Sequence, residues 1–171
     1  MAAFIDRSVL KDANLSGCGK YRYWLRRSWD STFTLPTVTF IMLNPSTADA
    51  EQDDPTIRRC ISFAKAWGCG QLAVVNLFAF RATDPKELAT ADDPVGIWNH
   101  SSVTNWTYRS QIVVAAWGVH GKLNEQGAKM ERSLRQLRVP LRCLGVTKDG
   151  YPRHPLYVKS SATLIPYGKE F

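Results

Sequence analysis

No stretch of this 171-residue sequence reaches the roughly 18 consecutive apolar residues that a membrane-spanning helix requires. The first residues lack the basic-then-apolar pattern of a secretory signal, so a cytoplasmic protein is expected. Internal repeats, low-complexity tracts and linker-like segments are missing too, which leaves a single domain over 1–171. Cysteine is sparse: Cys18, Cys60, Cys69 and Cys143 are the four, none in a C-x-x-C pair. That spacing argues against zinc or an iron–sulfur cluster, and reduced structural thiols are expected instead. Neither metal nor cofactor is expected, and nothing suggests more than a monomer. Acidic residues are outnumbered, 15 against 22 Lys and Arg, for a net charge of +7. A basic balance favours a polyanionic partner such as nucleic acid, although it serves solubility equally well.

What is present is an alternation of apolar runs and amphipathic stretches. VTFIML at 38–43, LAVVNL at 72–77, IVVAAW at 112–117 and the short 141–144 segment read as strands buried on both faces. Asp54-Pro55 is a helix-start signal, and Ile57, Cys60, Ile61, Ala64 and Trp67 follow at helical spacing. Further helices are predicted over 95–108 and 124–138. The aromatic-basic run at 21–29, YRYWLRRSW, alternates enough to suggest a strand, half of a hairpin. Strands alternating with helices give an α/β class. The expected architecture is a three-layer α/β/α sandwich around a central, mostly parallel four-stranded sheet.

In such a sheet the ligand crevice lies beyond the carboxyl ends of the strands. Asn44, Asn76, Gly118 and the loop before His154 all fall at such ends. Asn44 before Pro45 also fits a simple Asn-turn, Asn76 a loop-tying amide, and His154 a loop cap. The acidic run Asp49, Glu51, Asp53, Asp54 lies beside a helix start, whose dipole accounts for it; Asp53 or Asp54 stays in reserve for activating water.

FIMLNPSTAD at 40–49, VVNLFAFRATDP at 74–85, AWG at 116–118 and LGVTKDGYPRHPLY at 144–157 resemble the bacterial and phage domain family DUF1643. A more distant resemblance is to the uracil-DNA glycosylase superfamily. Four of its landmarks occur in order: Leu43-Asn44-Pro45-Ser46, Val74-Val75-Asn76-Leu77, Ala115-Ala116-Trp117-Gly118 and His154-Pro155-Leu156. The fourth lacks the Ser-Pro pair of that superfamily, and the first lacks the Gly-Gln-Asp of its fastest uracil enzymes. The resemblance implies a uracil-DNA glycosylase-like fold and hydrolysis of the N-glycosidic bond of uracil or a modified pyrimidine in single- or double-stranded DNA.

Under that resemblance Asn44 positions water, His154 stabilises the leaving base, and Asn76 reads the base edge with one donor and one acceptor. Ser46, Phe78 and Phe80 complete the base site, although an aromatic at a strand end, as Phe78 and Phe80 are, more often belongs to the core. Arg22, Arg26, Arg27, Lys148 and Arg153 are expected to meet DNA, with Leu156 or Tyr157 as a wedge into the duplex. Two other classes remain open: an enzyme on free nucleotides or nucleosides, and a non-catalytic nucleobase- or nucleic-acid-binding module.

Overall fold

The computed structural model describes residues 10–168. Runs rich in β-branched and apolar residues form the centre of its sheet: β3 (Thr37–Met42), β4 (Gln71–Asn76) and β5 (Ile112–Ala115). β4 and β5 flank β3 in parallel, and the two-residue β6 (Arg142–Cys143) adds a fourth parallel strand. Side chains alternate between faces along a strand. Val38, Phe40, Met42, Leu72, Val74 and Val114 therefore join the core beneath α1 (Pro55–Ala66). Ile41, Ala73, Val75, Val113 and Ala115 join a second core with α3 (Asn99–Tyr108) and α4 (Gln126–Gln136), to which the single turn α2 (Lys86–Thr90) adds Leu88. Covering both faces is what makes these strands read as continuous apolar runs.

The protein is α/β, and its described residues form four α-helices and one mixed sheet of seven strands in the order β1-β2-β4-β3-β5-β6-β7. The expected four-stranded sheet corresponds only to its parallel centre. The aromatic-basic run forms β2 (Arg22–Ser28), antiparallel to both β1 (Leu10–Leu15) and β4. β7 (Ile165–Pro166) closes the other edge, antiparallel to β6. β1 escapes a reading by pattern because LKDANL has no apolar run and stays half exposed.

Boundaries shift in places. The helix predicted over 95–108 begins at Asn99, after Gly96 at φ +85°. The one predicted over 124–138 is preceded by an irregular 3-10 segment, Val119–Glu125, in which Asn124 and Glu125 adopt positive φ. The strands predicted over 112–117 and 141–144 shorten to 112–115 and 142–143.

From β3 the chain moves to β4 on one side and later returns to β5 on the other. The crevice expected at such a reversal lies where the carboxyl ends of β3 and β5 diverge. Among the described residues no helix is long and apolar enough to cross a membrane.

Candidate functional site

A pocket of about 700 Å³ opens at that reversal. The ends of β3, β4 and β5 contribute Met42 to Asn44, Asn76, and Trp117 to Val119, while the segment after β6 brings Thr147, Arg153, His154 and Tyr157. The size falls within the roughly 300–1,000 Å³ of small-molecule sites. Asn44, Asn76 and His154 thus share one cavity although 110 positions separate the first from the last. Ser46 lines it as well.

Asn76 lies deep in this pocket. It is 1% exposed, and neither its Oδ1 nor its Nδ2 has a hydrogen-bond partner. Buried amides are normally satisfied, and leaving both atoms open is costly. Its backbone is fixed by Asn99 of α3, whose Nδ2 donates to the carbonyls of Asn76 (2.9 Å) and Leu77 (3.1 Å). Asn99 drew no attention in the sequence, where it is one polar residue at a helix start.

Asn44 is tied into its own loop. Its Nδ2 donates to the carbonyls of Ala82 (2.7 Å) and Pro45 (3.0 Å), joining the turn after β3 to the segment after β4. Both donors are spent, so Oδ1 is the atom left for a ligand or water. His154 accepts the Leu156 N–H at Nδ1 (3.3 Å), which leaves the proton of the neutral ring on Nε2. Burial lowers the His154 pKa, and the charge of Asp54 partly opposes this. Asp54 caps α1 through the Ile57 N–H (2.8 Å) and is the carboxylate lining the pocket. Arg59 of α1 anchors the histidine segment from below. Its guanidinium donates to the carbonyls of Val158 (2.6 Å) and Pro155 (3.4 Å) and to the Ser160 hydroxyl (3.1 Å).

Several residues assigned from sequence lie elsewhere. Phe78 is 0% exposed and belongs to the α3–α4 core, so it has no face to offer a base. Phe80 packs edge-on against Tyr21 at 5.8 Å and is not part of the pocket wall. Arg27 is also 0% exposed: Nε meets Asp53 at 2.7 Å, and the rest of its fork donates to the carbonyls of Asp12, Arg26, Asp49 and Gln52. A guanidinium so enclosed cannot reach a phosphate. Arg26 pairs with Asp12 at 3.2 Å on the β1–β2 hairpin, and Arg22 lies at the buried end of the pocket, 3% exposed. Arg22 and Arg27 are enclosed beneath the 48–53 segment, whose carbonyls and Asp53 carboxylate they meet, whereas Arg26 stays partly exposed beside Asp12.

The mouth keeps fewer of the expected groups. Residues 145–153 form a tight hairpin, with the Val146–Pro152 bridge and a Gly150 N–H to Thr147 bond of 3.0 Å. Lys148 is exposed near its tip, and Arg153 is exposed at its base, lining the pocket. Tyr157 is 78% exposed and borders the pocket with its ring 5.5 Å from His154; Leu156 is 44% exposed and is not part of the pocket wall.

The four thiols are free; burial pushes those of Cys60, Cys69 and Cys143 up, and Cys18 is exposed. Among the described residues no cluster of three or more His, Cys, Asp or Glu could hold a metal ion.

No curated protein and no solved structure matches the chain. The family described as "Protein of unknown function (DUF1643)" matches residues 22–156, a span running from Arg22 in the pocket through His154. The protein belongs to the DUF1643 family.

Proposed function

We propose that the protein is a base-excision enzyme of the uracil-DNA glycosylase type, hydrolysing the N-glycosidic bond of a uracil-like pyrimidine in DNA. The observation that carries this reading is Asn76, an amide with an unused donor and an unused acceptor buried in a ligand-sized cavity. An imide edge is its complement: Nδ2 donates to O4 and Oδ1 accepts from N3–H. A base flipped into the pocket satisfies both atoms at once.

The remaining groups fit the reaction. As the C1′–N1 bond breaks, its electron pair leaves on the base and negative charge gathers on O2. The Nε2–H of His154 donates there, and a neutral ring can do so because its Nδ1 is occupied by Leu156. Water adds to C1′ while accepting orientation from Asn44 Oδ1, and its proton passes to the Asp54 carboxylate. An amide does not take a proton, which is why Asp54 is given that step rather than Asn44.

A second reading, an enzyme acting on free nucleotides or nucleosides, is favoured by one observation. Of the five basic residues expected around the mouth, only Lys148 and Arg153 are exposed there. The assay that decides between them offers wild-type protein a panel of deoxyuridine, mismatched and hypermodified-pyrimidine oligonucleotides, followed by alkaline cleavage, with free nucleosides and nucleotides in parallel. Base release from an oligonucleotide is expected, falling on the order of a hundredfold or more in His154→Ala, as loss of one donor to developing charge costs about 2.7–4 kcal/mol. Release from the free compounds alone selects the second reading, and no release from any of them ends both.

A further inference from the structure

The buried end of the pocket holds a charge for which reading uracil alone has no use. Arg22 is 3% exposed and lines the same cavity as Asn76. The β2–β4 register, with Leu25 opposite Val74, brings it alongside the end of β4, and its backbone N–H donates to Ala79 O at 2.9 Å. Its guanidinium makes one hydrogen bond, Nη1 to the Ala48 carbonyl at 2.6 Å, while Nε is buried without a partner. No salt bridge to it forms among the described residues.

Arg27, five positions along the same strand, shows how this fold treats a guanidinium it uses for its own stability: a salt bridge to Asp53 and four carbonyl acceptors. Arg22 is as buried and has been left open toward a cavity. Buried charges are ordinarily paired, and an unpaired one is a strong demand for an anion. Burial lowers the Arg22 pKa to about 10, which still leaves the group charged at neutral pH; Asp54 and Asp49 offset part of that shift, whereas Arg81 and Arg27 add to it.

We propose that Arg22 binds an oxyanion carried by the base itself, so that the substrate is a pyrimidine with an acidic substituent and not plain uracil. This rests on the reading of Asn76 as the group that meets the base edge. Depth supports it. Arg22 and Asn76 are both nearly inaccessible, whereas Thr83, His120, Arg153 and Tyr157 form an exposed rim where sugar and phosphate would lie. Space supports it too, since about 700 Å³ is several times what one pyrimidine ring fills. The planar guanidinium fork matches carboxylate and phosphate oxygens and is the usual partner for them. A 5′-phosphate on a free nucleotide offers the same chemistry, so the test separates the two sources.

Calorimetric titration of the full chain uses four probes: uracil, uracil-5-carboxylic acid, uracil-5-carboxamide and uridine 5′-monophosphate. The acid is expected to bind about tenfold or more tighter than the neutral, nearly isosteric amide, the range set by a hydrogen bond between charged groups. In Arg22→Gln the acid-to-amide ratio should fall to near one, and Asn76→Leu should weaken every probe. The acid–amide comparison is made in wild-type protein, so it stands even if Arg22→Gln does not fold. Equal affinity for acid and amide overturns the inference and leaves the base reading of Asn76 intact. Tighter binding of the monophosphate than of the acid also overturns it, moving the charge to the phosphate. Failure of all four probes to bind overturns both the inference and the reading on which it rests.

Discussion

Asn76 carries an energetic cost that the fold does not recover. A buried polar group without partners destabilises by about 1–3 kcal/mol, and both side-chain polar atoms of Asn76 are in that state. Asn76→Leu, similar in length and apolar, is expected to raise stability by about 1 kcal/mol in denaturant titration while base release is lost. An amide serving only to tie loops together would show the reverse, lower stability with activity following it. At His154 the expectation concerns protons. Because burial lowers its pKa in the folded state, the unfolded chain takes up the proton first, near the ordinary 6.5. The stability it contributes is therefore present above that value and lost as pH falls through the lowered folded pKa. Ring titration by NMR should give a midpoint below 6.5, and Asp54→Asn should lower it further, since the Asp54 charge opposes the shift. Asn44 and Asn76 were legible because a polar residue ending an apolar strand has a definite place in an α/β sheet, and His154 because it follows the loop after the last parallel strand in a His-Pro-Leu motif. Asn99 and Arg59 were not, because they act on carbonyls about 22 and 96 or more positions away, and no local pattern marks such partners.

Among the elements, β2 departs most from its sequence reading. Alternation in YRYWLRRSW identified a strand and allowed for a hairpin, yet its arginines were assigned to a nucleic acid. Alternation reports that two faces differ, not what covers them, and what encloses Arg22 and Arg27 here is the 48–53 segment, met 22 or more positions along the chain. Arg27 ends up fastening the 49–54 loop to the sheet, and with it the cap of α1. The acidic run is accounted for in the same way. Asp53 pairs with Arg27, Asp49 accepts the N–H groups of Glu51 and Gln52, and Asp54 caps the helix. Arg27→Met leaves Asp53 with only the longer Lys11 contact at 3.7 Å and removes the donor to four carbonyls, and should destabilise the protein by about 3–5 kcal/mol, read as a shift in the denaturation midpoint at unchanged slope.

Across the whole molecule the site is assembled from the ends of three parallel strands, β3, β4 and β5, and the hairpin that follows β6, which is why strand order, more than any one motif, determines it. The same assembly limits the basic surface. With Arg22, Arg26 and Arg27 engaged or enclosed, Lys148 and Arg153 remain for phosphates near the mouth. Two contacts predict a slope of about −2 in log affinity against log salt for duplex DNA, where five would give about −4.5. Fluorescence anisotropy across a salt series measures it, and Lys148→Ala with Arg153→Ala should flatten it toward zero. The two edges of the sheet bear on a different property. β1 and β7 both lie outside residues 22–156, and both are poor templates: β1 has Lys11, Asp12 and an irregularity at Asn14/Leu15, and β7 is two residues long and includes Pro166. Their value is colloidal. A chain cut before Tyr21 would retain every residue lining the pocket, but would present the seven-residue outer edge of β2, with its tyrosine, tryptophan and leucine, as an unpaired row of N–H and C=O groups. Such a chain should add a neighbour's strand where β1 used to be and elute as higher-order species that grow with concentration.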